Sequence, residues 1–194
     1  MPKLTTSAIT INAFKENSVH VILTSLPYNP KQTIMYHSIK MLTEKKLTGK
    51  HLSMSFANNK TAGLWSSFMP HRKEIKNNIG TDLYSLQIYP SDFFESFNPH
   101  AVFEKWAAIE VTDFDNIPNG MQSFILPGGL YAVFLYRASE YTAEDAFRYI
   151  FETWLPTAAY TIDDRPHFEV LGKKYKKDDP TSEEEIWIPV KPKH

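Results

Sequence analysis

Leu64-Trp65-Ser66-Ser67-Phe68-Met69-Pro70 and Ile150-Phe151-Glu152-Thr153-Trp154-Leu155-Pro156 carry one pattern twice. Each runs apolar, aromatic, two small or polar residues, aromatic, apolar, proline. Further along, Glu104-Lys105-Trp106 has a counterpart in Glu185-Ile186-Trp187. The prolines lie 86 residues apart and the tryptophans 81, so the order is kept with a small change in length. Aromatic amphipathic helices often look alike by chance. Helix and strand matches in the same order favour a duplicated unit. Two like modules side by side form a cleft, and clefts between modules are where small ligands bind.

Working outward from these repeats, each module reads as strand–helix–strand–strand. In the first, spanning about residues 50–113, His51 to Ala57 reads as extended. Asn58 or Asn59 is placed to cap the next helix. Trp65, Phe68 and Met69 fall on one helical face, and Pro70 kinks or ends it. Leu83 to Tyr89 and Phe103 to Val111 read as strands. In the second, spanning about 120–192, Gln122 to Leu126, Pro127-Gly128-Gly129 and Leu130 to Tyr136 read strand, turn, strand. Phe147, Ile150, Phe151, Trp154 and Leu155 give the strongest helical spacing in the chain. Glu144 and Asp145 suit the positive end of its dipole, and Pro156 is expected to end it. His167 to Leu171 and Glu185 to Val190 follow as strands, with Pro189 favouring a sheet edge or strand end. The fold class is therefore α+β: tandem βαββ modules related by a pseudo-twofold, two helices packed on an antiparallel sheet, and a ligand cleft between modules.

Residues 1–48 have no partner in the duplication and read as an N-terminal extension ahead of a 49–194 domain. Ser18 to Leu26 looks like a strand, broken by Pro27-Tyr28-Asn29-Pro30. Met35, Ile39 and Leu42 give a modest helical spacing.

Composition sets outer limits. The chain has 194 residues and is 42% hydrophobic and 22% charged, which suits a globular core rather than a disordered chain. A net charge of −1 argues against a general nucleic-acid surface. With no cysteine, disulfides, thiolate metal sites and cysteine nucleophiles are excluded. No stretch reaches the ~20 apolar residues of a membrane helix, and no signal peptide is read, so a cytoplasmic location is expected. The seven histidines show no metal-site spacing, and no metal or cofactor is expected. Asp163-Asp164-Arg165-Pro166-His167 mixes acid and base types but lacks a nucleophile motif, and reads as a turn with local ion pairs. Pro127-Gly128-Gly129 opens no helix and reads as a turn rather than a phosphate loop. No hydrolase elbow or Walker pattern is present.

The segment PHFEVLGKKYKKDDPTSEEEIWIPV (166–190), with the LPGGLYAV turn (126–133) and the WLP helix end (154–156), resembles the GyrI-like, or effector-binding, domain family over about residues 50–194. The resemblance implies a tandem βαββ fold with a ligand cleft. It also implies a glutamate in that cleft, on the strand after the second helix, which here is Glu169. A carboxylate among aromatic rings attracts cations, and ring faces add about 0.5–2 kcal/mol per cation–π contact. Alternation puts His167, Glu169 and Leu171 on one face, and Phe168 and Val170 on the other. Glu185 and Trp187 share a face of the last strand and could border the cleft. Trp106 is the mate of Trp187 and could form the opposite wall, and Tyr131 could offer a hydroxyl at the rim.

Three functions follow as expectations. The first is a stand-alone binder, a sensor or a sequestering protein, for small cationic, partly aromatic molecules. It would use Glu169, Trp187, Trp106, Tyr131, Glu185 and Leu171. Direct DNA binding is not expected, because the leading section is neither basic nor clearly multi-helical. The second, implied by hydrolases in the family, is opening of strained, cyclopropane-bearing molecules, with Glu169 acting on water and Tyr131 assisting the leaving group. The third is a protein-interaction module, as in relatives that inhibit DNA gyrase, with a partner reached through residues 1–48. Fold does not choose among them.

Overall fold

The antiparallel pairing of Leu83–Gln87 with His167–Leu171 joins the two halves of the molecule. The computed structural model describes residues 35–96 and 98–193. Within them the order is β1 (His37–Leu42), β2 (Lys45–Met54), α1 (Thr61–Phe68), β3 (Asn78–Ile88), β4 (Phe103–Val111), β5 (Gln122–Leu126) and β6 (Gly129–Arg137). Next come α2 (Ala143–Arg148), a π-helical turn (Tyr149–Trp154), α3 (Leu155–Thr157), β7 (Tyr160–Ile162), β8 (His167–Leu171) and β9 (Glu183–Pro192). Every strand pairing is antiparallel, and the main path runs β1-β6-β9-β8-β3-β4-β2-β5, with β7 on β9. This order is its own reverse when β1 exchanges with β5, β2 with β6, β3 with β8 and β4 with β9.

Each strand–helix–strand–strand run is thus preceded by one more strand, and that strand pairs with the other half. β1 lies on β6 and β5 on β2. The strand–turn–strand around Pro127-Gly128 is therefore not a hairpin: its two strands pair with different partners. The turn packs against the β1–β2 corner. A Cβ on Gly128 would sit 2.8 Å from the Leu42 carbonyl oxygen, so only glycine allows the approach.

Alternation along the strands gives the sheet two apolar faces. On one face, α1 buries Leu64 and Phe68 against Leu83, Ala107, Ile109 and Leu171. On the same face, the second helix buries Ala146, Ile150, Trp154 and Leu155 against Ala132, Phe134, Ile186 and Ile188. Phe68 and Ile150 are fully enclosed. Each such side chain contributes roughly 1.5–3 kcal/mol by leaving water. The opposite face is closed by Leu42, Leu86, Trp106, Leu126, Tyr131, Phe168 and Trp187.

Local signals explain the helix starts. Asn59 Oδ1 accepts from the Thr61 amide at 2.9 Å. Thr142 and Asp145 form a reciprocal capping box ahead of α2. The second helix does not stop at Pro156, as its sequence suggested; it ends one residue later. The proline sits in the last turn, and the turn before it is π-wound. A proline has no N–H to return to the preceding turn, and wide turns occur where that ladder is disturbed.

Other expectations change as well. The spacing of Met35, Ile39 and Leu42 is not helical, because residues 37–42 form β1. Met35, just ahead of β1, and Ile39 pack on the helix side, and Leu42 packs on the opposite face. The division at residues 48 and 49 falls inside β2. The Ser18 to Leu26 strand and the following Pro27-Tyr28-Asn29-Pro30 break lie outside the described residues. Pro189 is in an inner strand, at the place where the partner on one side changes from β8 to β7; its own carbonyl accepts from Asp163 there.

Candidate functional site: an aromatic cavity with a buried ion pair

Three adjacent strands set the floor of a cavity of about 170 Å³ on the helix-bearing face. Gln87 comes from β3, Lys105 from β4 and Glu169 from β8. Gln87 is in register with both Lys105 and His167, while Ser85 pairs with Glu169. Gln87 Nε2 donates to Glu169 Oε1 at 2.8 Å, and Lys105 Nζ donates to Oε2 at 3.3 Å. The lysine is only 4% exposed. An ionised pair is tolerated at such depth only when each charge has its partner.

The walls are rings. Phe56 and Phe103 stand on the α1 side, Tyr89 and Phe94 follow β3, and Phe147 and Phe151 come from the second helix. The π-turn carries Phe151. His167 packs beside Phe94 and Phe151, with centroids 5.2 and 6.4 Å away, and those two rings lie 6.3 Å from each other, so the three form a triangle. Burial pushes its imidazole down to about 3, so it is neutral near pH 7. Burial, then the Glu169 charge, raises the Tyr89 phenol and keeps it protonated. Half-buried Glu184 on β9 is raised to about 7, chiefly by burial and then by Glu169, with Lys105 opposing.

Glu169 lines this cavity. It is not an unpaired carboxylate awaiting a cation, however, because Lys105 and Gln87 already hold it. Trp106, Trp187, Tyr131 and Glu185 are not beside it. Register gives the reason: Trp187 pairs with Phe168, whereas Glu169 pairs with Ile186, so the tryptophan and the glutamate point to opposite faces. Trp106, Trp187 and Tyr131 pack in the far-side core. Tyr131 donates to the Pro166 carbonyl at 3.3 Å and carries the Arg165 guanidinium 4.6 Å over its ring. Desolvation pushes its phenol up to about 12. Leu171 is on the Glu169 side, but it packs under α1 and does not line the cavity.

Lys105 was missed although the sequence carried a signal for it. On its face of β4 it follows Phe103 and precedes Ala107, Ile109 and Val111, the one charge on an apolar stripe. Arg165 bonds Asp163 at 2.8 Å, as a local ion pair should. It also donates to the carbonyls of Gly128, Leu130 and Val190, tying the β5–β6 turn to β9. Among the described residues no cluster of three metal-binding side chains occurs, and no helix is long and apolar enough to cross a membrane.

Several solved structures share this architecture. A putative transcription regulation protein from Staphylococcus aureus MU50 matches at 22% identity and TM-score 0.55, over 81% of this chain and 99% of that one. The protein SAV2435, bound to tetraphenylphosphonium, matches at 21% and 0.56, over 81% and 94%. A hydrolase from Listeria innocua matches at 11% and 0.54, over 80% and 91%. At these identities the likeness is one of fold. No curated protein matches the chain. The model of the GyrI-like small molecule binding domain matches residues 35–191, and the chain belongs to that family.

Proposed function

We propose that this protein is a binder of compact, partly aromatic small molecules, cationic ones among them, which seat a positively polarised group against Glu169. The observation that supports this reading is a carboxylate on the floor of a ring-walled cavity of about 170 Å³. An apolar cavity of about 150 Å³ accepts benzene, so one aromatic ring with a short polar arm is the fitting size. A multi-ring cation would need the walls to part. Calorimetric titration with benzylammonium tests the proposal in wild type and Glu169→Gln. Micromolar binding that falls about tenfold in the variant is expected. Equal affinity in both would remove Glu169 from the site.

The Tyr89 hydroxyl supports a second, catalytic reading. It is a protonated phenol at the cavity that holds Glu169. Opening of a strained electrophilic ring would use Glu169 to orient water and Tyr89, in place of Tyr131, to protonate the leaving group. Product formation from a cyclopropane-bearing electrophile, lost in Glu169→Gln, would favour this reading. Binding without turnover would reject it. The protein-interaction reading places a partner on residues 1–48; because that stretch includes β1 and the start of β2, its test deletes residues 1–34 alone, and unchanged partner capture would remove it.

A further inference from the structure

We infer that the ligand of this cavity is held at two points, with a hydrogen-bond acceptor on Lys105 beside a donor on Glu169. It is therefore a compact aromatic molecule carrying both groups side by side, as a carboxamide does. This rests on the binding reading above and narrows it.

The lysine carries the argument. An ammonium has three N–H donors. Among the described residues, Lys105 makes one hydrogen bond, the 3.3 Å contact to Glu169 Oε2. It is 4% exposed, so bulk water does not reach it freely, and the cavity it lines is where its other donors can be met. Buried donors without acceptors are costly, and a ligand oxygen arriving there removes that cost.

Charge balance points the same way. Lys105 and Glu169 neutralise each other at the floor. A permanent cation placed against Glu169 would face the ammonium across a poorly screened space, and like charges repel strongly there. A neutral group with a carbonyl and an N–H adds no charge. Its oxygen accepts from Lys105 and its N–H donates to Glu169, on neighbouring positions of the floor. The rings around it, Phe94, Phe147 and Phe151 among them, take up the aromatic end.

Three one-ring probes of similar size separate the possibilities by calorimetry on the full chain. Benzamide has both groups, acetophenone has the acceptor alone, and benzylammonium has donors and a charge. Benzamide is expected to bind about tenfold tighter than either. In Lys105→Met, benzamide should weaken by about tenfold while benzylammonium tightens. The wild-type ranking stands as a test even where that variant folds poorly. Benzylammonium binding tightest, and benzamide indifferent to Lys105→Met, would overturn the two-point inference and leave the binding reading intact. Failure of all three probes to bind would defeat the binding reading, and this inference with it.

Discussion

Trp106 and Trp187 make the same hydrogen bond in the two halves of the sheet. Each indole N–H donates to the carboxylate two residues earlier, Trp106 to Glu104 at 3.1 Å and Trp187 to Glu185 at 2.9 Å. A cationic or heteroaromatic neighbour lies on each ring: His51 stacks on Trp106 with centroids 4.4 Å apart, and Lys40 Nζ stands 5.2 Å from the centre of Trp187. These tryptophans therefore belong to the packing and edge of the far face. Trp187→Phe should lower stability by about 1–2 kcal/mol through lost volume and a lost donor. It should leave benzylammonium affinity within about twofold, since the ring is outside the cavity. Urea denaturation and calorimetry on one preparation check both parts; a large affinity loss at unchanged stability would put Trp187 back in the site.

The Lys105–Glu169 pair is expected to couple strongly. Removing one partner leaves a buried charge, which costs about 3–5 kcal/mol in such settings. Lys105→Met and Glu169→Leu should each destabilise markedly, and the double variant should recover much of the loss. Near-additive effects in the double-mutant cycle would show that the two side chains are independent.

Glu184 has a raised carboxyl in the folded protein, about 7 against an ordinary value of 4.5. Between those limits the folded state holds a proton that the unfolded state has lost. The group's contribution to stability is therefore fully present below pH 4.5 and declines as pH rises to about 7. Glu184→Gln should remove that decline and raise the melting temperature at pH 8 more than at pH 5. Equal shifts at both pH values would contradict it.

His167 acts in the opposite sense. Its folded value near 3 lies below the ordinary 6.5, so the unfolded chain binds a proton first as pH falls. Stability should drop from pH 6.5 toward 3 on this account. His167→Phe, which keeps a ring beside Phe94 and Phe151, should flatten that limb. Urea midpoints at pH 5 and 7 read the difference.

Gly49 is fixed by close approach. A Cβ there would fall 2.1 Å from the Ala107 carbonyl oxygen, where β2 crosses β4. Gly49→Ala should cost more than about 2 kcal/mol, because backbone must move. Gly63, in α1, has nothing within 4 Å of such a Cβ, and Gly63→Ala should stabilise by about 0.5–1 kcal/mol. Thermal melts of the pair check the contrast.

The two helices and most strands were legible because their residues obey local periods. Phe147 to Leu155 repeats at helical spacing, and Phe103 to Val111 is apolar apart from three charges, Glu104, Lys105 and Glu110. Short apolar sets were less clear. Met35, Ile39 and Leu42 fit a helix on paper, and only the backbone partners offered by β6 make residues 37–42 a strand. The pairing of β5 with β2, rather than with the next strand along, is likewise a choice among distant partners.

In the site, the chain's own alternation was enough to set Glu169 opposite Phe168, and the family pattern was enough to direct attention to Glu169. Sequence also determined the absence of thiol chemistry, the aromatic supply and the order of the modules. Tertiary structure alone decided which face of the sheet each residue shares with a neighbour. Register pairs Glu169 with Ile186 and Phe168 with Trp187, which sends the tryptophans to the far side. It brings Lys105, 64 positions away in the chain, to within 3.3 Å of the carboxylate. Alternation is a property of one strand and can be read locally. Register is a property of two strands, set by which pairing buries both faces at once, and it appears only when the whole sheet is assembled.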